Sequence, residues 1–438
     1  MPAASSFHIA TLGCKINQYE SQALREAWCA AGRVETADPA AAADIVVNSC
    51  AVTARAVRDL RQTVAKLRRA NPSARVVVTG CAAQILEEEI RGWSEVDLVV
   101  PQAKKSALLN TSATPALSGF PPFCISSFAR TRAVVKVQDG CSQRCTYCVV
   151  PLTRGPSVSR APAAVLAELQ RLFANGVREC ILSGINLNNY YYNDAQLQGR
   201  RIHDFWDLLA ALDAALAPTW AGRGRLRISS LDPAQLDAKA LDTLAAARLV
   251  CPHLHLALQS GSPEILRRMN RSRYTPDSIL EFLQAYARIH PVFGLGVDLL
   301  VGFPGENDAQ FEATQSLCAA LPLSYGHVFP YSRRPGTPAA ALPKQAPATV
   351  KKERAAILRA LAADKKSAFL HRLATLPRLT VALEDRDAGQ GTCEFYVECR
   401  LAQRDAAPED TELLATRPLR TGRDHLVVTP LTEPGATP

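Results

Sequence analysis

Apolar residues in the first hundred positions gather in three short β-branched runs, residues 7–14, 44–50 and 75–81. Each run is followed by a segment whose apolar positions return every three or four residues. The unit is strand, turn, helix, repeated, and strands joined by crossover helices form a parallel sheet. Asn17 with Glu20 three residues later reads as the capped start of the first helix. Asn71-Pro72 closes the second, whose inner face carries Val57, Leu60, Val64 and Leu67. This pattern predicts an α/β, Rossmann-like domain over residues 1–105. From 106 to 132 the periodicity fades into Ser, Thr and Pro, including Pro121-Pro122, which marks a linker.

Strand and helix patterns alternate again over residues 133–345, with strand candidates at 133–138, 177–187, 225–231, 253–261, 294–302 and 325–332. Such repeats predict a parallel (β/α)6 partial barrel with its functional loops at the carboxyl ends of the strands. In the fourth candidate, Leu254, Leu256 and Leu258 alternate with His253, His255, Ala257 and Gln259, so one face lies under the helices and the other makes the lumen polar. Two histidines two apart on a strand could hold a metal, but with no third ligand evident they read as hydrogen-bonded interior groups. A basic helix follows over 346–376, and strand candidates at 378–383, 392–401 and 425–429 predict a small β-barrel within 377–438.

Composition narrows the class. There is no cationic leader before an apolar run and no long apolar stretch, so export and membrane spanning are not expected, and a cytoplasmic protein is. Thirteen cysteines in that compartment point to metal binding ahead of disulfides. The net charge of +9 favours an anionic partner. It is concentrated on the helix with Arg55, Arg58, Arg61, Lys66, Arg68 and Arg69, and on the later helix with Lys351, Lys352, Arg354, Arg359, Lys365, Lys366, Arg372 and Arg378. Such faces are often merely solvated; two of them in a basic chain favour RNA phosphates.

The candidate chemistry centres on Cys141, Cys145 and Cys148, which follow the first barrel strand. A four-iron cluster takes one thiolate per iron, so three leave one iron open to a small molecule. Structural zinc needs a fourth ligand, and none lies near in the sequence. Unligated cysteines rarely come three to a loop of glycine and polar residues. Cys14, Cys50 and Cys81 end the three N-terminal strands at matching offsets, so the parallel sheet delivers them to one edge, where a second three-thiolate cluster could hold a sulfur atom. The other seven cysteines share no geometry and read as buried small hydrophobes.

The Cys-x-x-x-Cys-x-x-Cys loop, with Tyr147 before its last cysteine, resembles the radical S-adenosylmethionine (SAM) superfamily. The phrases Leu12-Gly13-Cys14-Lys15-Ile16-Asn17-Gln18-Tyr19-Glu20-Ser21, Asn48-Ser49-Cys50-Ala51-Val52-Thr53 and Val78-Thr79-Gly80-Cys81-Ala82-Ala83-Gln84 resemble its methylthiotransferases. The wording from Lys15 to Ser21 is nearest the branch that modifies N6-threonylcarbamoyladenosine at position 37 of tRNA.

The resemblance implies two 4Fe-4S clusters, one held by Cys141, Cys145 and Cys148 and one by Cys14, Cys50 and Cys81, with SAM as cosubstrate. By the same analogy Tyr147, Gly184, Asn186, Ser230 and Gln259 surround the cofactor, and Arg154, Arg160, Arg333 and Arg400 meet RNA. Tyr396, Arg417, Arg420 and Arg423 are further RNA candidates in a C-terminal segment placed like the TRAM module. Implied partners are the tRNA anticodon loop, a reducing electron donor and a sulfur source. Val158, where the family usually carries a basic residue, departs from the pattern. Two alternatives stay open: the same chemistry on N6-isopentenyladenosine, and a noncatalytic iron-sulfur protein that binds RNA.

Overall fold

The computed structural model describes residues 5–109, 119–128, 132–193, 195–403 and 413–431. Much of the expected linker, and parts of the C-terminal segment, lie outside the described residues. The N-terminal sheet is parallel and five-stranded, in the order Val34–Glu35, Ser6–Thr11, Asp44–Ser49, Arg75–Gly80, Leu98–Pro101. Its two edge strands, two and four residues long, are too short to leave a periodic signal. Thr11 pairs with Asn48 and Asn48 with Thr79, so the three long strands end level.

The helix Lys15–Ala30 starts earlier than its sequence suggests. Cys14 is the cap residue and makes no side-chain cap bond, while Asn17 and Glu20 are wholly buried. Their spacing imitates a helix start, but both side chains are committed to tertiary bonds that stronger partners supply.

Six parallel strand positions form the expected open arc. One sheet orders Arg225–Ile228, Glu179–Ser183 and Arg132–Lys136; the other orders Ser230–Leu231, His253–Gln259, Gly294–Val301 and Tyr325–Pro330. The stretch read as one strand at 225–231 is divided at Ser229, which is how the two sheets part. The alternation in His253–Gln259 is as the pattern required: Leu254, Leu256 and Leu258 are fully buried in the shared core. The helix Ala348–Ala374 packs across the last strand. Its cations are largely spent there. Arg354 pairs with Glu306 and Asp308, both at 2.7 Å, Lys365 caps the Ala319 and Leu321 carbonyls, and Arg359 bonds the Val328 carbonyl. Lys352, Arg359 and Arg372 remain exposed on it.

A closed five-stranded barrel ends the fold: Leu379–Asp385, Gln390–Cys393, Glu398–Leu401, Leu426–Pro430, Leu414–Thr421. Residues 392–401 are two strands of a hairpin, not one, and Leu414–Thr421 escaped the pattern because Pro418 and arginines interrupt it. Buried Glu179 anchors this barrel to the arc. It accepts from Arg225 and Arg227, each Nε at 2.7 Å, and those guanidiniums in turn donate to the carbonyls of Thr380, Thr392, Cys393 and Glu394. Burial would raise the Glu179 carboxyl, but Arg227 and Arg225 outweigh it and hold it well below the ordinary carboxylate range. The hairpin tip puts Tyr396 against His253, Tyr325 and Arg227, at ring separations of 4.9, 5.6 and 5.0 Å. Tyr396 therefore packs at the amino end of the arc, where it also lines a cavity facing the C-terminal barrel.

Candidate active site between two cysteine sets

Immediately after the first barrel strand, Gln138–Asp139 pairs antiparallel with Val158–Ser159, so the cysteine loop is the tip of a short hairpin. Gln138 lies under it as a brace: its Nε2 donates to the Asp139 and Gly140 carbonyls and to Ser157, and its Oε1 accepts from the Asn186 amide. Gly184 lies against that side chain. Gly140 has a φ of 66°, and a Cβ added there would fall 1.9 Å from the Pro156 carbonyl oxygen. Gly140→Ala should therefore displace the hairpin, costing about 2 kcal/mol or more. Iron analysis after anaerobic loading should show the variant taking up less iron than wild type.

Cys141 and Cys145 are buried and Cys148 is partly so. Asn186 Nδ2 reaches Gln143 at 2.9 Å and Cys141 Sγ at 3.8 Å, and Arg271 Nη1 lies 3.7 Å from Cys145 Sγ. Burial raises the Cys145 thiol and pushes Cys148 up to about 12. Without metal these groups keep their protons near neutrality, so ligation must release them.

The second set is assembled by cross-bonds between strand-end turns. Asn17 Nδ2 donates to the Leu12 and Ser49 carbonyls, joining the turns before Cys14 and Cys50. Ser49 Oγ donates to the Thr79 carbonyl and accepts from the Ala82 and Ala83 amides, joining those of Cys50 and Cys81. Burial lifts the Cys50 thiol to about 11, with Cys81 and Cys14 near enough to add to it.

Each set offers three free thiols, the donor set of a cluster with one open iron. All six cysteines are free of disulfides, yet neither trio brings its sulfurs within 4.8 Å of one another. Arg334, 6% exposed, has a buried Nε with no hydrogen-bond partner and faces Cys50, an orphan cation where an anionic thiolate cluster would sit.

A sealed ionic network joins the two sets. Glu20 accepts from Lys105 at 2.6 Å, Lys136 at 2.7 Å and Arg154 at 2.8 Å, and Asp139 from Lys136 at 2.5 Å and Arg154 at 2.9 Å. Arg154 also donates to Asn17 Oδ1 at 2.8 Å. Burial would raise the Glu20 carboxyl; Arg154, Lys105 and Lys136 together hold it well below its usual value. Close by, Arg160 pairs with buried Glu168, which also takes the Tyr19 hydroxyl at 3.1 Å. Arg154 and Arg160 are thus interior groups, and the expectation that they contact RNA is corrected. Arg333 is exposed; Arg400 is exposed and pairs with Glu398 at 2.8 Å. On the first basic helix Arg55, Arg58 and Lys66 face solvent.

Between the cysteine sets lies a cavity of about 240 Å³. Tyr147 and Cys148 line it together with Val52 and Thr53, just past Cys50, and Gln259, Asp298, Leu300, Phe329, Pro330 and Tyr331 complete the lining. Gln259 holds a left-handed φ of 64° at the strand end, a strain that sites of function tend to retain. Asp298 Oδ1 accepts from His255 Nε2 at 3.0 Å and from His327 Nδ1 at 3.1 Å, and Ser230 Oγ stands 3.5 Å from Oδ2. The sequence showed no third partner for its histidine pair. The partners come from neighbouring strands, and one ligand atom each from His255, Asp298 and His327 lies within 4.8 Å. Arg271 and Arg334 were missed as site residues, since nothing local distinguishes them.

The radical SAM superfamily model matches residues 135–318, and that of uncharacterized protein family UPF0004 matches residues 6–101. The chain is 35% identical over 387 residues to the threonylcarbamoyladenosine tRNA methylthiotransferase MtaB of Chlamydia pneumoniae, covering 88% of each. To MtaB of Bacillus subtilis it is 34% identical over 368 residues, 80% of this chain and 78% of the relative. To the tRNA-2-methylthio-N(6)-dimethylallyladenosine synthase of Sphingopyxis alaskensis it is 35% identical over 398 residues, 87% of each. Among solved structures, the radical SAM methyltransferase TsrM of Kitasatospora setae superposes with a TM-score of 0.55 at 17% identity, over 77% of this chain and 75% of that one, which is a likeness of fold.

Proposed function

Because the chain belongs to the radical SAM tRNA methylthiotransferases, we propose that it converts N6-threonylcarbamoyladenosine at position 37 of tRNA to its 2-methylthio derivative, with one cluster on Cys141, Cys145 and Cys148 and another on Cys14, Cys50 and Cys81. The observation that carries this reading is a cavity lined both by Cys148 and by Val52 and Thr53, the residues just past Cys50. A base seated there lies between the two trios. The C2 hydrogen of adenine is not removable as a proton by any side chain near neutrality. When bound, SAM and the clusters supply a radical route, along with the sulfur and methyl that replace that hydrogen.

The protein's own part is placement. Tyr147 and Gln259 border the space, Asn186 orients the loop at Cys141, and Gly184 leaves room for the Gln138 brace. Apolar Val52, Leu300 and Phe329 give the base a nonpolar lining to rest against. The adenosine must leave its stack to enter, the usual way proteins read single-stranded RNA. Arg333, Arg400, Arg417, Arg420, Arg423 and the exposed face of the first basic helix are exposed cations that can meet phosphates. No helix among the described residues is long and apolar enough to cross a membrane. Electrons and sulfur come from partners outside the chain.

The apolar walls, and the 35% identity to the dimethylallyladenosine synthase, keep a second reading on the same site, methylthiolation of the isopentenyl base. Anaerobic loading with iron and sulfide, then a reductant, SAM and each tRNA, tests both. Nucleoside mass spectrometry should find the 2-methylthio-threonylcarbamoyl product. An iron-loaded sample that binds tRNA yet yields no deoxyadenosine would leave only the noncatalytic RNA-binding reading.

A further inference from the structure

The cavity between the cysteine sets has apolar walls and a polar floor. On the floor Asp298 is held by two imidazoles from neighbouring strands, His255 and His327. His255 Nδ1 reaches the Tyr325 hydroxyl at 2.8 Å, and His253 Nε2 reaches the same hydroxyl at 3.0 Å, so the His255 ring is fixed from behind. The other ring nitrogen of His327, Nε2, makes no hydrogen bond within the described residues, and the side chain is 54% exposed. His327 also lines a second cavity, about 650 Å³, between the arc and the C-terminal barrel. Asp298 therefore borders the space beside Cys148, and His327 the one beyond it.

Purine geometry links this floor to the reaction. C2 and N6 sit on the six-membered ring, while the ribose leaves from the five-membered ring. A base that enters with its ribose outward and C2 between the cysteine sets sends its N6 substituent toward the floor. Resting on the methylthiotransferase reading above, we propose that His255, Asp298 and His327 form the subsite that reads that substituent, accepting a polar, carboxylate-bearing acylcarbamoyl group and rejecting a hydrocarbon one. Asp298 can take the urea N–H and side-chain hydroxyl as donors. The free edge of His327, on the far side of Asp298, can meet the carboxylate, which spares that anion a direct encounter with the aspartate. A dimethylallyl group satisfies none of these atoms and strips water from them. Sites built to hydrogen-bond a substrate typically reject the analogue lacking those groups by large factors, because their own polar atoms are left unpaired.

The test is a competition in one tube between tRNA carrying the threonylcarbamoyl base and tRNA carrying the dimethylallyl base, with wild type, His327→Leu and His327→Gln, all iron-loaded and matched for iron content. Expected is a fall of about 100-fold in kcat/KM for the threonylcarbamoyl tRNA with His327→Leu, mainly through KM, and a much smaller change for the dimethylallyl tRNA. His327→Gln, which keeps a hydrogen-bonding tip, should recover most of the loss. Equal losses on both tRNAs, or no change on either, would overturn the subsite. Wild type that methylthiolates neither tRNA would overturn the underlying function instead, so the two failures are told apart.

Discussion

Glu20→Gln should destabilise the protein by about 3–5 kcal/mol, because it leaves Lys105, Lys136 and Arg154 sealed together with Asp139 as their one remaining carboxylate. The amide is nearly isosteric with the acid and its oxygen can still accept. Its NH2, however, points at a cation, and no water reaches the site to screen the mismatch, since the Glu20, Lys105 and Lys136 side chains are 0% exposed. The linkage has a definite sign. The folded Glu20 carboxyl is held well below its usual value, so its contribution is complete above the unfolded carboxylate range and fades as the pH drops beneath it. The gap between wild type and variant should accordingly be widest near neutrality and shrink in acid. Denaturant unfolding under anaerobic conditions at several pH values measures it; a gap below about 0.5 kcal/mol at neutral pH would sink the argument.

The network also has a positional consequence. Asn17, Glu20 and Lys105 come from the N-terminal domain, Lys136 ends the first strand of the arc, and Asp139 and Arg154 belong to the hairpin that carries the other cysteine loop. Loosening it should let the two cysteine sets drift, so Glu20→Gln should form more deoxyadenosine per methylthio product than wild type does.

What could be read in the chain beforehand follows the range of the forces involved. The cysteine sets were legible because strand periodicity places the turns at 14, 50 and 81 on one edge, and because three thiols in eight residues are a local signal. Glu20 was misread because Asn17 and Glu20 three apart satisfy a helix-start rule, whereas the partners that claim Glu20 lie 85, 116 and 134 residues away. Arg154 and Arg160 looked like phosphate contacts because a guanidinium in the sequence is silent on which carboxylate the fold brings to it, Glu20 from the N-terminal domain for Arg154 and Glu168 from the following helix for Arg160. The polar lumen was visible as alternation along His253–Gln259, but the group that completes it was not. Asp298 and His327 sit on two other strands and meet His255 only once the arc has formed.

Cys14→Ala should abolish methylthio transfer while sparing deoxyadenosine formation, because its thiol belongs to the set remote from the hairpin loop. The turn itself should survive the change. Cys14 is exposed and makes no side-chain cap bond at the helix start, and the bonds that close the turn come from Asn17 to the Leu12 and Ser49 carbonyls. Anaerobic loading should then yield about four irons per chain in place of about eight. Cys145→Ala is the contrasting case: it removes a buried thiol from the hairpin loop beside Arg271, and both deoxyadenosine and methylthio product should disappear. Iron quantitation together with mass spectrometry of both products separates the outcomes. If Cys14→Ala silences deoxyadenosine as well, the two cysteine sets act as one unit and the division of labour between the domains is wrong. If it keeps full methylthio transfer, the sulfur does not pass through the N-terminal edge at all.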